Sequence, residues 1–194
     1  MTHPRDEDER TLRIHRFLPL SRANGPGPRA VIWTQGCSLR CPGCFNPETH
    51  PFDGGHRVHA DRLFERIRRL GRSIEGLSIS GGEPLEQIPP LTALLERIRA
   101  ETSLSVLLFT GFEWNQATAR PGADRLLACL DLVIAGPYLA SKRRARGLVG
   151  SSNQTVHCLT DRYTAADLHT VPEAEIIITP EGDILSSGID PPRR

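Results

Sequence analysis

"AVIWTQGCSLRCPGCFNPETH", residues 30–50, runs from an apolar segment straight into a cluster of thiols. The "AVIWT" portion reads as a short strand of the fully buried kind, and the loop after it carries Cys37, Cys41 and Cys44. A thiol loop fed directly by a strand sits at that strand's carboxyl end, where open α/β sheets and barrels place their chemistry. Thiolates hold zinc or iron-sulfur clusters, and a closed structural zinc site takes four protein ligands. Three leave a vacancy. A cubane held at three irons keeps one iron free for another ligand, as catalytic zinc keeps a position for water or substrate. Spacings of three and two residues let one short loop wrap the metal, and Gly36, Pro42 and Gly43 permit the turns. On the cysteines alone, a zinc site completed by His50, His56, His59 or a distant cysteine is the alternative.

Outward from this loop, strand and helix patterns take turns. Upstream lie a strand at "LRIHRFLPL" and the turn-rich connector "RANGPGPR". Downstream, "HADRLFERIRRLG" puts Leu63, Phe64, Ile67 and Leu70 on one helical face and closes at Gly71. Then follow "EGLSIS" as strand, "LTALLERIRAE" as helix, "LSVLLFTG" as strand, "ADRLLACL" as short helix and "DLVIAG" as strand. A basic loop, a strand at "QTVHCL", a short helix near "TAADLHT" and a hairpin in "EIIITPEGDILSSGI", turning at Glu181 to Asp183, complete the pattern. The alternation predicts an α/β fold with a mostly parallel sheet and helical crossovers. A complete barrel takes ~250 residues, so 194 residues predict an incomplete (β/α) barrel of about five or six parallel units. One domain over residues 1–194 is expected, with a flexible extension at 1–11.

Composition excludes several classes. A formal net charge of +1 offers no general attraction to nucleic acid or anionic membrane. No apolar run approaches the ~20 residues that span a bilayer, and "MTHPRDEDER" has the wrong chemistry for a secretory signal. A cytoplasmic protein is expected, in which thiols stay reduced and a tight cysteine cluster points to metal or catalysis before disulfides. With five cysteines in all, only Cys129 and Cys158 are left over. Both read as buried small hydrophobes, in helical and strand patterns respectively.

"SISGGEPLEQ" narrows the reading. Gly81 and Gly82 at a strand end open the backbone to a ligand, and Glu83 adds a carboxylate suited to an ammonium group. Together with the three-cysteine loop after an earlier strand, this resembles the radical S-adenosylmethionine (SAM) superfamily. Its CxxxCxxC loop binds a [4Fe-4S] cluster, and its GGE-type segment holds the SAM amino group. "GCSLRCPGCFNPE", "FTGF", "LDLVIAGPY", "GLVGSSNQTV" and the closing hairpin further resemble the activases that install glycyl radicals, particularly the anaerobic ribonucleotide reductase activase and its relatives. The similarity runs from about Asn24 to Ile189. One departure is Ala135, where that family often has an acidic residue.

The resemblance implies Cys37, Cys41 and Cys44 as cluster ligands and SAM chelating the fourth iron. One-electron reduction then gives a 5'-deoxyadenosyl radical that takes hydrogen from the substrate, with no acid-base residue required. By motif position, Gly43 and Phe45 belong near the adenine with Asn46 beside them, and Gly81, Gly82 and Glu83 at the methionyl end. Thr110, Gly111, Ser152 and Asn153 belong at the ribose or methionyl portion. Each has a plainer reading: Phe45 as packing, Thr110-Gly111 as a strand terminator, "GSSNQ" as a polar turn, and Trp33 and Trp114 as core. "SKRRARG", residues 141–147, is a solvated loop or a dock for an acidic partner. The implied partners are a glycyl-radical protein and a flavodoxin- or ferredoxin-type electron donor. A compact radical SAM enzyme acting on a small molecule or peptide, like 7-carboxy-7-deazaguanine synthase, and a non-catalytic metal-binding module are the other readings.

Overall fold

The computed structural model describes residues 9–178 and 181–189. In chain order the elements are β1 (Thr11–Ser21), β2 (Arg29–Thr34), β3 (His56–His59), α1 (Ala60–Arg68), β4 (Gly76–Gly81), α2 (Ile88–Glu101) and β5 (Ser105–Thr110). They continue as α3 (Trp114–Thr118), α4 (Ala123–Leu127), β6 (Leu132–Ala135), β7 (Arg143–Arg146), β8 (Val149–Ser151), β9 (Thr155–Cys158), β10 (Ala174–Ile178) and β11 (Ile184–Gly188). A seven-stranded sheet has the order β3-β1-β2-β4-β5-β6-β9. Its centre, β2 to β6, is parallel, while β1, β3 and β9 join antiparallel at the flanks. The fold is therefore mixed α/β, with four parallel strands where five or six units were expected. The flanking strands alternate as well as the central ones do, and alternation carries no sign of strand direction.

Period-two alternation divides the two faces of the sheet. Ala30, Ile32, Leu77, Ile79, Val106, Leu108 and Val133 meet Leu63, Phe64, Ile67, Leu91, Leu94 and Leu95 of the helices in one large core. Leu70 packs at its margin. On the other face, Val31 and Trp33 join Leu18 of β1, with Ile177 and Leu185 of the β10–β11 hairpin packed against them. Leu107, Leu132 and Ile134 pack with Leu148, Leu168 and Val171 in a further cluster. Helices cover one face; hairpins and loops roof the other, and the functional cavity lies beneath that roof.

Two expectations change here. Cys158, read as a buried small hydrophobe, is exposed, because it lies on the sheet's edge strand β9, while Cys129 is buried as expected. Within the basic stretch 141–147, residues 143–146 form strand β7, paired with β8. The turn at Gly147 and Leu148 needs left-handed backbone at both positions, and only the glycine advertised it. The expected hairpin is present as β10–β11. Of the extension expected at 1–11, residues 1–8 lie outside the described residues, and Thr11 already begins β1. No helix among the described residues is long and apolar enough to cross a membrane.

At the amino-terminal end of the parallel strands, Arg29 is fully buried. Its Nε donates to Ser78 Oγ at 2.8 Å, Nη1 to Ser105 Oγ at 2.8 Å and Pro26 O at 3.0 Å, and Nη2 to Leu77 O at 2.8 Å. The guanidinium thus rivets β2, β4 and β5 through neutral oxygens. Arg29→Met keeps the volume and removes every guanidinium donor; Ser78 Oγ keeps only its bond to Asn24 O and Ser105 Oγ those to Tyr163 and Glu75, and the links between the strands are lost. The expected cost is about 2 kcal/mol, read as a fall of roughly 5 °C in the melting midpoint by calorimetry.

Candidate functional site

The thiol loop leaves β2 and returns alongside its own start. Gly36 N–H donates to Thr49 O at 2.8 Å and Cys37 N–H to His50 O at 3.1 Å, which ties the two ends of the loop together. Inside it, Cys44 N–H donates to Cys41 O at 3.1 Å, and Arg40 takes a left-handed conformation at φ 46°. Cys37, Cys41 and Cys44 all line one cavity. Burial pushes the Cys37 and Cys44 thiols up; Glu83 and Glu86 act in the same sense on Cys37, and the other two thiols on Cys44. Opposing that rise, the Leu39 and Arg40 amides hydrogen-bond to the Cys37 sulfur, and Asn46 N–H donates to Cys44 Sγ at 3.4 Å.

This donor set fits an iron-sulfur cluster. Three mutually repelling thiolates call for a cationic centre, and backbone amides aimed at sulfur are the contacts that tune such clusters. Three thiolates on one zinc would sit about 3.8 Å apart, given Zn–S bonds of about 2.3 Å in a tetrahedron. Among the described residues no group of three or more His, Cys, Asp or Glu side chains is placed to hold a single metal ion. Of the histidines considered as a fourth zinc ligand, His50 lines the cavity. His56 belongs to β3 and is exposed, and His59 caps α1, its Nδ1 accepting from Asp61 N–H at 3.3 Å.

Gly81 ends β4, paired with Thr34 of β2, and Gly82 and Glu83 follow it into the turn. Gly82 N–H donates to Thr34 O and Glu83 N–H to Gly36 O, both at 2.8 Å, so this turn and the thiol loop are joined backbone to backbone. A Cβ on Gly82 would overlap the Gly36 carbonyl oxygen, and Gly81 has φ +105°, so both positions require glycine. Glu83 is 0% exposed. Its carboxylate accepts from Leu85 N–H at 2.9 Å, Thr110 Oγ1–H at 2.9 Å and Gly111 N–H at 2.7 Å. Burial pushes its pKa up to about 7, against the pull of those three donors. A carboxylate has about four acceptor sites, so one remains for a cationic ligand.

The structure gathers most of the other predicted residues. Phe45, Asn46, Thr110 and Gly111 line the same cavity as Gly81, Gly82 and Glu83. Phe45 lies 4.6 Å from the Tyr138 ring, and the Arg143 guanidinium sits 4.9 Å from the Phe45 ring centre. The basic hairpin therefore reaches the cluster loop. Gly43 does not line the cavity; it faces Tyr138 and Ala140. Ser152 and Asn153 do not line the cavity: Ser152 is exposed, and Asn153 Nδ2 donates to Pro137 O at 2.8 Å. Their neighbours Gly150 and Gln154 line it instead. Gln154 Nε2 donates to Gly136 O at 2.9 Å while its Oε1 accepts from Gly150 N–H at 2.9 Å.

Sequence reasoning missed Arg16, Tyr138 and Ser187 and took Trp33 as packing; all four line the cavity. Trp33 shares strand parity with Val31, which points away from the helices, so the β2 alternation could have placed it. Arg16 follows from pairing β1 with β2, where it lies opposite Trp33. Ser187 comes from the far end of the chain, where Asn24 Nδ2 donates to its Oγ at 2.6 Å.

With the geometry in place, comparisons with known proteins agree on one group. The family described as a 4Fe-4S single cluster domain matches residues 23–157. The chain is similar to the anaerobic ribonucleoside-triphosphate reductase-activating protein of Salmonella typhimurium, 31% identical over 160 residues that cover 76% of this chain and 99% of that one. The protein of the same name from Escherichia coli is 28% identical over 155 residues, with the same shares. The pyruvate formate-lyase-activating enzyme of Clostridium pasteurianum is 40% identical over 126 residues, 63% of this chain and 50% of that enzyme.

Proposed function

This chain belongs to the family of the anaerobic ribonucleoside-triphosphate reductase-activating proteins, and we propose that it installs a glycyl radical on such a reductase, using a [4Fe-4S] cluster and SAM. The observation that carries the reading is the backbone union of the thiol loop with the Gly81-Gly82-Glu83 turn, through Gly82 N–H to Thr34 O and Glu83 N–H to Gly36 O. One loop suited to holding iron and one buried carboxylate suited to an ammonium group thereby face a common cavity.

Cys37, Cys41 and Cys44 are assigned as the cluster ligands. The cluster and SAM, when bound, would supply reductive cleavage of the C5'–S bond and, through it, hydrogen-atom abstraction, for which a glycyl Cα is the proposed target. The residues of this chain orient and shelter. Glu83, held by Leu85, Thr110 and Gly111, accepts from the SAM ammonium, and the flat Gly81-Gly82 backbone lets the methionyl end come close. Phe45 and Tyr138 offer aromatic surface for the adenine, with Asn46 beside it and Gly43 behind Tyr138 and Ala140. Thr110 and Gly111 act through Glu83, and Gly150 and Gln154 take the place at the ribose or methionyl portion that was expected of Ser152 and Asn153. The roofed sheet is read as an incomplete barrel within one domain, in a cytoplasmic protein that takes its electron from a flavodoxin- or ferredoxin-type donor.

Anaerobic reconstitution with iron and sulfide tests this. With reductant and SAM the protein is expected to release 5'-deoxyadenosine, and with anaerobic ribonucleoside-triphosphate reductase to produce a doublet glycyl-radical signal in electron paramagnetic resonance. Release of 5'-deoxyadenosine without that signal would move the reading to a small-molecule substrate. A tetrahedral zinc bound entirely by protein side chains would end it.

A further inference from the structure

The cavity lining includes side chains that the proposed cofactor contacts leave unused. Arg16 of β1 lies over Trp33, its Cζ 4.4 Å from the ring centre, and both side chains line the cavity. The guanidinium Nε is buried with no hydrogen-bond partner, and so is Nε2 of His50 on the same cavity lining. Trp33 and the charge of Glu48 account for where the guanidinium lies, but neither supplies an acceptor to Nε. A buried polar nitrogen without a partner costs roughly 1–3 kcal/mol, and two such atoms on side chains that line one cavity mark a place where polar groups of a ligand belong. Trp33 fixes the plane of the guanidinium and screens one side of it, so the unpaired Nε–H has a set direction rather than a mobile one.

The proposed reaction says what such donors would meet. A glycine has no side chain, so a protein that takes hydrogen from its Cα can recognise the residue only through the flanking backbone amides. Reacting atoms must approach to about 3–3.5 Å, which carries those amides into the cavity and away from water. There each peptide carbonyl needs a donor. The SAM-facing wall has spent its own: Leu85 and Gly111 amides and the Thr110 hydroxyl all go to Glu83. Asn24 Nδ2 on the same lining is also committed, to Ser21 Oγ at 2.7 Å and Ser187 Oγ at 2.6 Å. Arg16 Nε–H is not.

We infer that Arg16, set by Trp33 and joined by His50, forms the subsite that holds the substrate protein's backbone beside the glycine, with Arg16 Nε–H donating to a peptide carbonyl. The inference rests on the activase reading. It makes Arg16 a positioning residue for the protein substrate and gives it no part in SAM cleavage.

The test compares two outputs of one reconstituted enzyme: 5'-deoxyadenosine released without partner, and glycyl radical formed on anaerobic ribonucleoside-triphosphate reductase at varied reductase concentration. Arg16→Met preserves the stacked stem and removes the donor. It should leave partner-free SAM cleavage and the KM for SAM within twofold of wild type while raising the KM for reductase about 10- to 100-fold, the worth of one hydrogen bond from a charged donor. Arg16→Lys keeps the charge and lacks the Nε–H, so it should show the same rise. An unchanged reductase KM in Arg16→Met overturns the inference, and so does a wild-type KM in Arg16→Lys, which would assign the effect to charge alone. A wild-type enzyme that cleaves SAM and forms no radical on the reductase defeats the activase reading itself, and the subsite with it.

Discussion

Cys41→Ala protein, reconstituted anaerobically, is expected to hold little iron and to release 5'-deoxyadenosine several hundred-fold more slowly than wild type. Thiolate metal sites are worth roughly 10–16 kcal/mol in all, so one ligand among three or four contributes about 3–4 kcal/mol. Cys41 is the informative choice because it is half-buried, and its loss disturbs the core less than loss of the buried Cys37 would. Cys158→Ala is the control: an exposed thiol on β9 should change neither iron content nor rate. Iron and sulfide analysis beside the nucleoside assay reads both. Wild-type iron in Cys41→Ala would show that the ligand set has been misassigned.

Glu83→Gln should weaken SAM binding about tenfold, since a charge-assisted contact worth roughly 1.5–3 kcal/mol becomes a neutral one worth roughly 0.5–1.5 kcal/mol. pH gives the finer test. With the carboxyl pKa at about 7, the ionised form that holds an ammonium group is depleted as pH falls below neutrality, and wild-type affinity should drop about tenfold per pH unit below that point. In Glu83→Gln that slope should vanish. Stability of the cofactor-free protein runs the other way. The folded state holds this proton more tightly than the unfolded chain, whose carboxyl titrates near 4.5, so the stability present below that value is lost as pH rises towards about 7. The raised pKa corresponds to roughly 3 kcal/mol. Denaturant midpoints between pH 5 and 8 should fall in the wild type relative to Glu83→Gln; a pH-independent difference would mean that the carboxyl is already ionised at pH 5.

Much of this arrangement was legible because it is local. The periodicity of Leu63, Phe64 and Ile67 gives a helix face, and "AVIWT" and "EGLSIS" give strands whose ends carry the glycines and the thiols. The GGE turn lies beside the cysteine loop because β2 and β4 are parallel neighbours. Strand direction at the flanks was not legible, since antiparallel β1 and β9 alternate as parallel strands would. Nor were the partners of Glu83: a carboxylate read as open to a ligand is clamped within its own turn by Leu85 and from one distant segment by Thr110-Gly111. Arg16 escaped notice for a similar reason. Its meaning depends on a buried nitrogen lacking a partner, a property of the packed cavity that no spacing of residues encodes.

The Gly36 carbonyl oxygen takes its hydrogen from Glu83 N–H, and no side chain intervenes where Gly82 passes it. Two functions are thus spliced without a flexible joint: whatever unravels the sulfur-bearing loop also misplaces the anchor for the nucleoside. Exposure to air should therefore leave a protein that has lost its grip on the cosubstrate along with its metal, and repair of the one restores the other.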